Sequence, residues 1–332
     1  MVALMPYGYR SATEYRFDED QVDAIIRTAA YHRKDFCLSV IWFSPAKHVN
    51  IRQSIATPFQ QTSSAGLGSL DRLPLELLHD TLLRLDVYSL FKFRQTNRRS
   101  REAVDSLKQY QMIVLHGLNL FCALLRTRLA VGISLLDFYN ALCLKSCSLC
   151  GEFGGFMSLL TWKRCCFKCL KEAPETQVQT LSAARKEFHL TKVDLSQLKS
   201  FKILSGIFDG GICTREPQTT GQVYATSSER RRKFNFMGSC ALPYYEKVSG
   251  NAEHGISCAG CQLALEKDII GSKGEKWASE SRDKVYARDG FLEHFKWCEQ
   301  AQLLWESSCE GNRRPAELPE GARRGGYFSE SV

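Results

Sequence analysis

Two cysteine pairs with the spacing C-x-x-C, Cys147 with Cys150 and Cys166 with Cys169, are separated by fifteen residues. No other feature restricts the fold of this chain so tightly. Each pair places two thiolates on one tight turn, and four thiolates close a tetrahedron around zinc with no open position. Gly151, Gly154 and Gly155 follow the first pair, where the turn calls for positive φ. Cys165 competes with Cys166 as a ligand, although only Cys166 keeps the two-residue spacing to Cys169. A second set begins with Cys258-Ala-Gly-Cys261 and resumes thirty-two residues later with His294 and Cys298. If residues 291–305 form one helix, His294 and Cys298, four apart, leave the same face and complete a second tetrahedron. His254, just ahead of the second pair, is an alternative ligand. The expectation is two structural zinc ions.

Zinc is favoured over disulfides by compartment. The sequence opens without a charged segment leading into an apolar run and a small-residue cleavage site, so no signal peptide is expected. The longest apolar run, Met112–Leu125, is interrupted by His116 and Asn119 and is too short for a bilayer. A soluble chain of the cytoplasm and/or nucleus is the reading, and there the fourteen cysteines should stay reduced. Hydrolysis at zinc is disfavoured, since a catalytic ion keeps a position open while both sets supply four protein ligands. A RING needs eight interleaved ligands close in sequence, which these two separate sets are not. The net charge of +8 and the run Arg230–Lys233 leave a zinc-dependent nucleic-acid binder as the alternative. No helix carries the run of base-reading Arg, Asn or Gln that such a protein uses.

Ahead of the cysteines lies a leucine-rich stretch, Leu70–Leu107. Leu75, Leu78, Leu82 and Leu85 recur at helical spacing. Pro74 suits the first turn, and Asp71 or Asp86 can cap a helix start. Val87, Leu90 and Phe93 form a second short repeat, and Arg98–Arg101 lead into a third carrying Val104 and Leu107. Three helices this short expose more leucine than they can bury among themselves, so the unit calls for a partner.

The remaining segments read as scaffold. Val22, Ile25, Ile26 and Ala29 share a helical face, Phe36–Phe43 suggests a strand ended by Pro45, and His32 and His48 read as surface residues. Residues 1–53 are expected to pack loosely, and Ser54–Ser69 reads as a linker. Tyr110–Arg128 predicts one buried helix and Leu135–Leu144 another, with Cys122 and Cys143 as small buried hydrophobes. Glu172–Thr180 reads as a polar connector. Leu181–Phe188 and Asp194–Ser200 predict helices, and Phe201–Gly211 a strand or turn. Thr219–Ser228 reads as a loop, and Phe234–Tyr245 as strand-like, with Cys240 unpartnered. From Glu306 the composition predicts a disordered tail carrying Cys309.

With its Leu73-Pro74, Glu76 and following leucines, the stretch resembles an F-box, the adaptor-docking module of SCF ubiquitin ligases. From Leu70 to Trp305 the chain resembles a large group of F-box proteins most familiar from filamentous fungi. The resemblance is carried in order by LLRTRLA at Leu124–Ala130, CSLCGEFGGFMSLLTWKRCCFKCL at Cys147–Leu170 and ARKEFHLT at Ala184–Thr191. It continues with ALPYYE at Ala241–Glu246, GISCAGCQ at Gly255–Gln262 and FLEHFKWCEQAQLLW at Phe291–Trp305. Ser205-Gly206 departs from the Pro-Gly usual in that group. The resemblance implies a non-catalytic subunit that docks an Skp adaptor, and through it cullin and a RING subunit, by Leu73, Pro74, Leu77, Leu78, Leu82, Leu85, Leu90 and Phe93. It also implies an unknown protein substrate held by the cysteine-rich region. The expected fold is α+β and mainly helical. An N-terminal extension (1–53) and linker (54–69) precede the F-box (70–110). A helical connector (111–146), a zinc-binding region with short strands (147–305) and a tail (306–332) follow.

Overall fold

The computed structural model describes residues 10–44, 46, 48–49, 55, 66–204, 206–208, 211–213, 234–269, 274–319 and 322. Helices dominate, and the strands are short and antiparallel, as expected for a mainly helical α+β chain.

The N-terminal stretch departs most from its sequence reading. α1 (Val22–Ala29) buries Ile25, Thr28 and Ala29, and β1 (Ala30–Tyr31) follows directly. Far from packing loosely, Ile25, Ala29 and Ala30 are fully enclosed. The strand expected at Phe36–Phe43 is instead α2 (Lys34–Ser39), after which Ile41 makes a single bridge to Cys240. Phe36 explains the helix: its ring lies under Arg33 and stacks on Phe167 with centroids 3.6 Å apart, a contact outweighing local β-propensity. The histidines are not surface residues either. His48 is buried, and His32 is half-buried with Nδ1 3.1 Å from the Gly255 carbonyl.

The leucine-rich stretch forms α3 (Leu75–Arg84), α4 (Val87–Arg94) and α5 (Arg98–Asp105). Pro74 is the N-cap residue of α3, Asp86 accepts from Ser89 N–H and Asn97 from Ser100 N–H, so each start is locally encoded. Arg94, 2% exposed, joins α4 to α5 through Asp105 at 2.7 Å. The single helix expected at Tyr110–Arg128 is two, α6 (Lys108–His116) and α7 (Leu118–Thr127), broken at Gly117. α8 (Leu135–Leu142) begins at a reciprocal cap between Ser134 and Asp137.

The cysteine-rich part is layered on these helices. β2 (Phe156–Ser158), β3 (Lys163–Cys165) and β6 (Ser239–Ala241) form a sheet in the order β3–β2–β6. α9 (Phe167–Glu172) packs on β2, and Thr176 and Val178 of the supposed polar connector are buried. α10 (Leu181–Phe188) and α11 (Lys192–Gln197) precede the pair β4 (Gly206–Phe208) and β5 (Gly211–Cys213). The Thr219–Ser228 loop, Arg230–Lys233 and Ser205 lie outside the described residues, as do Pro45 and most of Ser54–Ser69. Cys240, fully buried, is not without a partner: Asn119 Nδ2 donates to its sulfur at 2.9 Å. β7 (Tyr244–Tyr245) pairs with β8 (Ala252–Glu253), and β9 (Ser257–Cys258) pairs with β1. The chain then forms α12 (Ala259–Glu266), α13 (Gly274–Asp283), α14 (Arg288–Phe295) and α15 (Glu299–Ser307). Over the described part of the expected tail, residues 306–319 and 322, a return turn replaces disorder: Arg313 N–H bonds to Ser308 O, and Leu318 and Ala322 are buried. Residues 320–321 and 323–332 lie outside the described residues.

Two main cores result. The larger runs from the leucine-rich helices through α6–α8 into the β2 sheet. The smaller joins α1 to α12, α14 and α15, with Phe291, Phe295 and Trp305 at its centre.

Candidate functional site

Local turn chemistry assembles the first cluster. Cys147 N–H bonds to Glu152 O, Gly151 N–H returns to Cys147 O at 3.0 Å, and Ser148 N–H bonds to Arg164 O at 2.8 Å. Of the three glycines flagged after the first pair, Gly151 alone takes positive φ, at +79°. Cys166 caps α9, its sulfur accepting from Cys169 N–H at 3.3 Å. The ligand atoms of Cys147, Cys150, Cys166 and Cys169 all lie within 4.8 Å of one another. Cys165 is not in this group; its sulfur points to Lys163 O instead. Arg164, 1% exposed, ties the turn to its surroundings by donating to the carbonyls of Gly154, Ala141 and Leu242. Hydrogen bonding between Cys166 and Cys147 holds the Cys147 thiol below the usual range.

The second cluster gathers Cys258, Cys261, His294 and Cys298, again within 4.8 Å. Its geometry corrects the sequence argument. Residues 291–305 are not one helix: α14 stops at Phe295, and Cys298 takes extended angles (φ −91°, ψ 97°) as the N-cap of α15. Gln302 maintains the break by donating to Phe295 O and Lys296 O. A helix end leaves carbonyls without intrahelical partners, and the N-terminal stretch supplies them. Ser11 N–H bonds to Trp297 O at 3.1 Å, Tyr15 N–H to Lys296 O at 3.0 Å, and Arg10 bridges Cys298. On the other side, Ala30 pairs with Cys258. The α12 helix approaches α15 so closely that a Cβ on Gly260 would fall 2.3 Å from Ala301 N. Tyr286 stacks on His294 with centroids 4.8 Å apart. Burial opposes ionisation of Cys258, yet hydrogen bonds from Cys261 and Cys298 hold its thiol below the usual range. His254 takes no part; its ring packs against His32 instead.

Exposure differs between the clusters. Cys150 is exposed and Cys166 and Cys169 half-buried, whereas Cys258, Cys261 and Cys298 are fully enclosed. With four thiolate or imidazole donors converging in each, both clusters can hold a metal ion.

The residues expected at one docking face divide. Leu78, Leu82 and Leu90 are 5%, 2% and 0% exposed and belong to the chain's own core. Leu85 and Phe93 are half-buried, while Leu73 and Leu77 stand 37% and 55% exposed beside an exposed Pro74. Leu75, at 55%, joins them on the outside although its spacing aligned it with the buried set. Sequence reasoning missed this split and the N-terminal wall of the second cluster. A two-residue strand leaves no periodic signal that could have revealed the wall.

In comparison with known protein families, residues 70–112 match the F-box domain family. The chain thus carries an F-box domain, built on α3–α5 and the start of α6. No curated protein and no solved structure matches the chain. No described helix is long and apolar enough to cross a membrane.

Proposed function

We propose that the protein is the substrate-receptor subunit of an SCF-type cullin–RING ubiquitin ligase, with the F-box docking an Skp adaptor. The observation that carries this reading is the F-box at residues 70–112 with an apolar edge, Leu73, Pro74, Leu75 and Leu77, left open to solvent. Burying such an edge contributes about 25 cal/mol per Å² of apolar area. The three enclosed leucines act indirectly, by fixing α3 and α4 so that the edge is presented. The subunit makes no bonds itself. It would hold a protein substrate beside a charged ubiquitin-conjugating enzyme, and the rate gain is effective concentration.

The ions are proposed to be zinc. In a tetrahedron with zinc–sulfur bonds of about 2.3 Å, the sulfur–sulfur edge is about 3.8 Å. The sulfur separations are 3.7 Å for Cys150–Cys166, 3.7 Å for Cys258–Cys298 and 3.9 Å for Cys261–Cys298. They fit that edge and are far too long for disulfides, whose bond is about 2.05 Å. With four protein donors and no open position the ions are structural.

Adaptor capture tests the reading. Leu77→Arg with Leu73→Arg should abolish co-purification with the adaptor while leaving the thermal transition and zinc content unchanged. Undiminished capture by this variant would remove the docking reading.

A further inference from the structure

The helical hairpin after the first cluster is built almost without a face to bury. α10 buries only Ala184, and α11 buries no residue. Both are nonetheless well started: Thr180 accepts from Ala183 N–H, and Thr191 and Asp194 form a reciprocal cap. Helices of eight and six residues are marginal in water on propensity alone, so a packed face normally sustains them. Here the apolar side chains point outward. Leu181, Phe188, Val193 and Leu198 are 45%, 59%, 66% and 43% exposed, and Leu181 and Phe188, two turns apart, share one face of α10.

Positive charge is interleaved with them. Arg185, Lys186, Lys192, Lys199 and Lys202 are all exposed, and none forms an ion pair among the described residues. Two acids, Glu187 and Asp194, lie in the same stretch, and the Asp194 carboxylate is committed to capping Thr191.

We propose that residues 181–202 form a docking surface for an acidic, amphipathic segment of a partner protein. The charge asks for carboxylates and the exposed side chains ask for apolar anchors at helical spacing. A lipid surface fits less well, because it favours one continuous apolar face, whereas His189 at φ 53° turns the chain between two short helices. On the receptor reading above, on which this identification alone rests, the partner is the substrate.

The test uses the full chain with its adaptor and a labelled synthetic helical peptide of glutamate and leucine, read by fluorescence anisotropy. A lysine–leucine peptide and phosphatidylserine vesicles serve as counter-probes. The chain should bind the acidic peptide with an affinity that falls as salt rises. Phe188→Ser with Val193→Ser, and separately Lys186→Glu with Lys192→Glu, should each weaken binding about tenfold or more, and the charge reversal should gain the basic peptide. Because these side chains are exposed, melting temperature and zinc content should stay at wild-type values. Equal binding by all variants, or vesicle binding in place of the peptide, would overturn the proposal. So would self-association abolished by the serine variant, which would make a second copy the occupant. Adaptor capture is scored in the same samples. Peptide binding without capture removes the receptor reading and leaves the surface; capture without peptide binding removes the surface alone.

Discussion

Ala30 stands directly opposite Cys258 in the antiparallel ladder of β1 and β9, so backbone from the N-terminal stretch abuts a ligand of the second cluster. Arg10 makes the corresponding bridge to Cys298. Two of the four ligands are thus held from outside by the same segment. Deleting residues 1–33 should therefore lower bound zinc from two ions per chain to one, measured by elemental analysis, with adaptor capture intact. Two ions retained would show that the second tetrahedron closes without that wall.

The division of the F-box leucines separates stability from docking. Leu82, 2% exposed, sits in the core, and truncation to alanine leaves a cavity costing about 2–5 kcal/mol. Leu77, 55% exposed, makes no such contribution. Denaturant titration should show a lower midpoint for Leu82→Ala and none for Leu77→Ala, while adaptor affinity should respond in the opposite order. Equal shifts in both variants would mean that the two residues share one environment.

Both four-residue clusters were legible as groupings because C-x-x-C spacing is a local geometric demand, met by the turn at Cys147–Gly151 and by the helix starts after Cys166 and Cys258. The leucine-rich helices were legible for the same kind of reason, since Asp86 and Asn97 cap within three residues. What was not legible depended on distant partners. His294 and Cys298 converge through a helix break that Gln302 and the N-terminal backbone hold open, not through one helical face. Phe36 chooses helix over strand because Phe167 waits to stack on it. Leu75 and Leu78 look alike in sequence, and the packing of α3 against α8 and the core around it decides which is covered.

Unequal exposure of the clusters predicts unequal reactivity. Cys150 is open to solvent, whereas the three cysteines of the second cluster are enclosed. A mercurial or peroxide reaches a thiolate only where it is accessible. Release followed with a zinc-sensitive dye should show one equivalent leaving fast and the second only as the protein unfolds. Cys150→Ser should eliminate the fast phase. A single phase carrying both equivalents would contradict this order.

Acid should weaken the seam between the N-terminal stretch and the second cluster through His32. Burial lowers its pKa, against the hydrogen bond to Gly255 O, with Lys34 adding to the lowering and Asp35 opposing it. The neighbouring His254 ring, 5.9 Å away, offers no countercharge. Unfolding frees the imidazole to titrate near its ordinary value of about 6.5. Below that pH the unfolded chain binds the extra proton first, so stability falls as pH falls and is fully present above it. Replacing the ring by an amide removes the titration and leaves a group able to donate to Gly255 O. His32→Gln should therefore melt with a shallower dependence on pH between neutrality and pH 5 than the natural chain, at equal zinc content. The same slope in both proteins would show that His32 is not held neutral by the fold.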